Sequence, residues 1–148
     1  MNRRTALAAI AAAAALPTAA SAKTGRMVVT KSPTCGCCTA WVRHMRDAGF
    51  LVEARDIGQD ALYALKAQLG VRPEYSSCHT GEIDGYVIEG HVPAEEVSRL
   101  LETRPNALGL AVPGMPVGSP GMEMGARKDP YDVLLIRRDG SSAVFARK

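Results

Sequence analysis

From Met27 onward the chain alternates short β-rich runs with segments of helical period. Met27-Val28-Val29-Thr30 is the first run, broken by Lys31-Ser32-Pro33-Thr34. From Thr39, apolar residues recur at Trp41, Val42, Met45 and Ala48, one face of a helix, with Arg43, Arg46 and Asp47 on the other. Gly49 stands where a helix C-terminus takes a left-handed residue. Phe50 to Ala54 reads as a second strand. Asp60 is the expected N-cap of a second helix carrying Leu62, Leu65 and Leu69 and closed by Gly70. Ile83 to Glu89 reads as a third strand, with Tyr86 and Ile88 on one face. Pro93 suits the first turn of a third helix. Glu95 and Glu96 at its start and Arg104 near its end complement the helix dipole. Val97, Leu100 and Leu101 form its apolar stripe, and Pro105 stops it. Residues 106–130 hold five glycines and four prolines and read as a long loop. Val133 to Ile136 and Ala143 to Phe145 flank Asp139-Gly140 as a hairpin.

This order predicts an α/β domain over residues 23–148: a small central mixed sheet flanked by helices, with a C-terminal β-hairpin. A cysteine motif, Cys35-Gly36-Cys37-Cys38, falls between the first strand and its helix. That placement resembles the thioredoxin arrangement, and Cys35 and Cys38 have the matching C-x-x-C spacing.

Residues 1–22 read as an export signal. Arg3-Arg4 supply the charge, and Ala6 to Leu16 is an apolar run of eleven residues. A bilayer span needs about 20. Ala20-Ser21-Ala22 is a small-residue cleavage site, so the mature chain is expected to begin at Lys23, in the periplasm. The arginine pair raises the twin-arginine route, but the flanking residues fit the ordinary secretory route better. The signal holds two of the 18 basic residues and none of the 15 acidic ones. The remainder is therefore close to neutral, without the clustered Lys and Arg of a nucleic-acid surface. No later segment is long and apolar enough to insert stably into a membrane.

The chemistry lies in the cysteines. Three occur within four residues, and the fourth, Cys78, is followed at once by His79. Thiols so crowded make poor staples, because a disulfide wants Cα atoms roughly 4.4–6.8 Å apart in a specific geometry. A helix beginning near Cys38 would turn its free N–H groups and positive dipole end toward the sulfurs. Such placement favours thiolate, the form that attacks disulfides and binds metals. A dithiol oxidoreductase needs one attacking and one resolving sulfur, and Cys37 is surplus to it. Added thiolates help metal capture, and soft sulfur favours Cu(I), zinc or iron–sulfur clusters. Zinc sites use wider C-x₂₋₄-C pairs, and the run spacing of iron–sulfur sites is absent. Crowded thiolates suit one or more Cu(I) ions best. Two readings remain beside it: a structural disulfide from Cys35 or Cys38 to Cys78, and a metal-free oxidoreductase using Cys35 and Cys38.

Other donors are near in sequence. His79 is a ligand candidate, although alternation along an extended segment would turn it away from the face of Cys78. His91 follows the third strand, and its plainer role is a polar loop residue. Met115 and Met122 sit in Pro-Gly-Met segments, as thioether donors or as gap-filling side chains under the loop. His44 and Met45, on the first helix, read as structural.

Several segments together resemble the CopG-type family, periplasmic metal-binding proteins linked to copper resistance. They are Lys31-Ser32-Pro33-Thr34-Cys35-Gly36-Cys37-Cys38, Ser77-Cys78-His79-Thr80, Tyr86 to Pro93, Gly109 to Pro116 and Gly118 to Glu123. The resemblance extends over roughly Met27 to Phe145. It implies a thioredoxin-like fold, copper held at Cys35, Cys37, Cys38 and Cys78, and a redox role in copper handling. Partners would be copper ions and other periplasmic copper-handling proteins.

Overall fold

The structure is a computed structural model that describes residues 25–148. The export signal, its cleavage site and Lys23 lie outside the described residues. The elements run β1 (Arg26–Lys31), α1 (Gly36–Asp47), β2 (Leu51–Asp56), α2 (Gln59–Gln68), β3 (His79–Ile83), β4 (Tyr86–Gly90), α3 (Ala94–Thr103), β5 (Gly109–Val112), β6 (Asp132–Ile136) and β7 (Ser142–Arg147). A short 3-10 turn, Pro73–Tyr75, precedes β3. The strands form one seven-stranded sheet in the order β2-β1-β3-β4-β5-β6-β7. β1–β2 and β4–β5 are parallel, and the other neighbours are antiparallel. The fold is mixed α/β, as the element order implies.

The sheet is wider than the sequence pattern suggests, for two reasons. The run Ile83–Glu89 is not one strand. Asp84 and Gly85, both at positive φ (49° and 82°), make a two-residue turn, and Ile83 pairs with Tyr86 across it. Two central residues at positive φ suit the right-handed twist of a hairpin, and Asp-Gly supplies them. The segment 106–130 is not all loop either. Its start, Gly109–Val112, is a buried strand parallel to β4, reached through α3. The irregular stretch shrinks to residues 113–131. Helix α2 also starts differently: Gly58 is its N-cap, and Asp60 lies inside the first turn.

Alternation along the strands divides the interior in two. On one face Met27, Val29, Ile88, Leu110 and Val112 pack against Trp41, Val42 and Met45 of α1 and Val97 and Leu100 of α3. On the other, Val87, Ala111 and Ile136 pack against Val71 and Tyr75, which follow α2. The N-terminus of α1, the start of β3 and the end of β4 meet at one end of this framework. His44 ties α1 to α3 by accepting the Ala94 N–H at 3.1 Å, a structural role as its position suggests.

Candidate metal centre

Cys35 is the N-cap of α1, and its sulfur accepts the Cys38 N–H at 3.3 Å. The helix therefore aims its free donors at the motif, as the sequence implies. Cys35 and Cys38 are joined by a disulfide, with their Cα atoms 5.3 Å apart, while Cys37 and Cys78 are free thiols. The Sγ of Cys37 lies 3.4 Å from that of Cys35 and 3.7 Å from that of Cys78. All four sulfurs fall within 4.8 Å of one another. The alternative pairing of Cys78 with Cys35 or Cys38 as a staple does not occur; the bridge lies inside the C-x-x-C.

Cys78 belongs to a second group as well, with His79 and His91. Its Sγ is 3.1 Å from His91 Nε2 and 3.5 Å from His79 Nδ1. The alternation argument that would turn His79 away does not apply, because β3 begins only at His79 and Cys78 stands before it. His91 Nδ1 donates to the Pro120 carbonyl at 2.8 Å. A carbonyl only accepts, so Nδ1 carries the proton and Nε2 turns its lone pair toward Cys78. This is the arrangement by which a backbone carbonyl orients a metal-binding imidazole. His79 is fully buried between Trp41, 4.5 Å away ring to ring, and His91, edge to face at 5.0 Å. Among the described residues, its Nε2 has no hydrogen-bond partner. A buried polar atom without a partner is costly.

Burial sets the charge state. The Cys78 thiol is pushed up to about 12, first by burial and then by neighbouring Cys37, so it holds its proton until something replaces it. Burial, then the repulsion a protonated His79 would meet from a protonated His91 and from Lys66 and Lys31, holds His79 well below the usual histidine range. Burial lowers His91 too. Both imidazoles are then neutral, the form that ligates metals.

The irregular segment covers this end. Gly114 N–H donates to Ser76 O at 3.2 Å, and the Ser77 hydroxyl donates to Gly114 O. A second turn, Gly118 to Met122, lies against α1. Gly121 is at φ +86°, and a Cβ there would stand 2.7 Å from Cys37 O and 2.8 Å from Trp41 N. Met122 at this turn is partly buried, whereas Met115 is half-exposed. Among the described residues, neither thioether is hydrogen-bonded to the cysteine sulfurs.

Four residues given no role from the sequence, Lys66, Glu89, Thr80 and Ser77, stand behind Cys78. Lys66 Nζ, buried, donates to Glu89 Oε1 at 2.5 Å and to Thr80 Oγ1 at 2.8 Å. Thr80 donates to Glu89 Oε2 at 2.6 Å, and Ser77 N–H donates to Glu89 Oε1 at 2.7 Å. A signal was present: Lys66 follows Leu62 by four residues, on the helix's inward stripe, and Glu89 ends an apolar run.

The donor set of soft sulfur with imidazole fits copper. A family model described as a protein of unknown function, DUF411, matches residues 75–122. Among curated proteins there is no match. The chain is similar to two solved structures. One, copper resistance protein CopG form 2, is 44% identical, with 84% of this chain and 98% of that chain covered and a TM-score of 0.78. The other, copper resistance protein CopG form 1, is 45% identical, covering 83% and 96%, with a TM-score of 0.77.

Proposed function

The chain belongs to the CopG family of copper resistance proteins, and from that premise we propose that it is an exported, periplasmic Cu(I)-binding protein. Residues 1–22 are its signal, cleaved after Ala22, and residues 23–148 are one thioredoxin-like metal-binding domain. The observation that carries the reading is the convergence of four sulfurs within 4.8 Å, with Cys78 shared between them and two neutral imidazoles.

Two electrons from a dithiol reductant open the Cys35–Cys38 disulfide and leave Cys35, Cys37, Cys38 and Cys78 as donors for one or more Cu(I) ions. Each thiol gives up its proton as metal binds. His91, with Nε2 turned inward, and His79, with its buried ring, are the nearest nitrogen donors. Met122 and Met115 are donors that movement of the covering segment would bring in. Sulfur favours Cu(I) and imidazole also accepts Cu(II), so the mixed set suits cycling between the two states. Copper then passes to or from other periplasmic copper-handling proteins.

A second reading, a metal-free thiol–disulfide oxidoreductase, draws support from the disulfide itself. Cys35 is partly exposed at a helix N-cap, and Cys38 is completely buried. That asymmetry suits an attacked sulfur and a protected one. Anaerobic purification, reduction, copper loading and metal analysis decide between the two. Copper bound by the reduced chain and lost in Cys78→Ser supports the metal site. Four titratable thiols with no copper after loading, and disulfide reduction that survives Cys37→Ser, would establish the oxidoreductase instead.

A further inference from the structure

The buried Lys66–Glu89 pair has no part in the chemistry above, yet one end of it holds the strand entry that carries Cys78. The sheet face toward α2 carries Val87, Ala111 and Ile136, with the buried Thr30 and Thr80 in register beside Glu89. Charges are placed there at a cost, and a buried pair adds little stability over apolar residues of similar size. Its hydrogen bonds show what it does instead. Glu89 Oε1 takes both the Lys66 ammonium and the backbone N–H of Ser77, the residue before Cys78. Glu89 Oε2 takes the Thr80 hydroxyl, two residues after Cys78. One carboxylate therefore grips the chain on both sides of the cysteine. The same segment lies directly on β4: Gly90, next to Glu89, is at φ +73°, and a Cβ there would stand 2.5 Å from Ser77 Cβ. Beyond it, the Ser77 hydroxyl donates to Gly114 O, which ties the covering segment to the same point.

We propose that Glu89, held in place by Lys66, is a positioning residue that sets Cys78 Sγ against Cys37 and His91. This rests on the copper-binding reading for its consequence, but its geometric content stands apart from copper. With the Cys35–Cys38 disulfide kept oxidised, Cys37 and Cys78 are two free thiols 3.7 Å apart, and phenylarsine oxide reports on their spacing without any metal.

Two double variants separate positioning from general stability. Both remove both charges, so neither leaves a buried ion unpaired. Glu89→Gln with Lys66→Met keeps a side-chain carbonyl for Ser77 N–H and an amide for Thr80. Glu89→Leu with Lys66→Met keeps volume but removes the acceptor. Cu(I) affinity is read by competition with a chromophoric chelator, and arsenical affinity on the copper-free chain. The Leu/Met variant is expected to lose about 10–100-fold in Cu(I) affinity, the usual effect of removing a group that orients a metal ligand. Its arsenical binding weakens in parallel, and the Gln/Met variant recovers most of both. Unchanged arsenical binding in the Leu/Met variant overturns the proposal. If the wild-type chain binds no copper but the arsenical contrast holds, the copper reading fails and the positioning role stands. Amide exchange of the wild-type chain decides the matter if the Leu/Met variant does not fold. Slow exchange at Ser77 supports the grip, and exchange at the rate of an open loop overturns it.

Discussion

Cys78 Sγ and His91 Nε2 lie 3.1 Å apart, and the opposite nitrogen of that ring is bound to the carbonyl of Pro120. One imidazole thus joins the thiol that links both donor groups to the segment that covers them. The turn fixes the tautomer, and the tautomer presents a lone pair to the sulfur. The covering segment is therefore part of the site's electronic design and not only a lid over it.

Thiol titration tests the disulfide directly. The chain isolated in air is expected to show two reactive thiols in denaturant, Cys37 and Cys78, and four after reduction. Alkylation before and after reduction, followed by peptide mass spectrometry, identifies them. A bridge that involves Cys78 in the air-isolated chain would refute the assignment.

Cys78 is common to both donor groups, whereas Cys35 belongs to the sulfur group alone. Cys78→Ser should abolish high-affinity copper binding by the reduced chain, and Cys35→Ser should weaken it and leave part of the bound metal. Equal copper content in the two variants, measured after gel filtration, would contradict this ranking.

The Gly121 backbone explains why a bare residue stands in the second Pro-Gly-Met turn. Alanine there meets both a positive φ and the first turn of α1, at Cys37 O and Trp41 N. Gly121→Ala should destabilise the chain by about 1–3 kcal/mol, the range for a non-glycine residue held in a sparsely populated backbone region. Urea unfolding of the copper-free chain measures it. Gly125, also at positive φ but with open space around its Cβ position, is the control: Gly125→Ala lacks the steric part of the penalty.

How much of this was legible depended on what each signal encoded. The helical faces of Trp41, Val42 and Met45 and of Val97 and Leu100 were readable because burial imposes a period that sequence displays. The cysteine convergence was readable from chemistry, since few other roles accommodate three thiols in four residues. The Ile83–Glu89 run reads as one strand because apolar residues stand on both sides of Asp84-Gly85, which is nonetheless the standard two-residue turn. β5 was hidden because four residues between glycine- and proline-rich neighbours carry no period of their own. His79 joins the site because Cys78 lies before the strand, a boundary that alternation cannot locate. Lys66 on α2 and Glu89 on β4 sit far apart in sequence, and only the packing of the helix on the sheet brings them together.

The two buried histidines predict how the copper-free chain responds to acid. His79 and His91 are both held below the usual histidine range in the folded state, chiefly by burial. In the unfolded chain each takes up a proton near pH 6.5. Between that value and the depressed folded one, the unfolded state binds more protons, so stability falls as pH drops. It should be full above about pH 6.5 and decline below it by up to about 1.4 kcal/mol per pH unit for each histidine that stays neutral. Glu89, raised by burial, acts in the opposite direction at lower pH, as the folded state retains its proton more readily than the unfolded one. Urea unfolding at pH 7.5 and 5.5 reads the net slope. His79→Phe keeps a ring against Trp41 and removes one titrating group, so its slope should be shallower. Equal slopes for the two proteins would mean that His79 is protonated in the folded chain, and its role as a neutral donor would fall with that result.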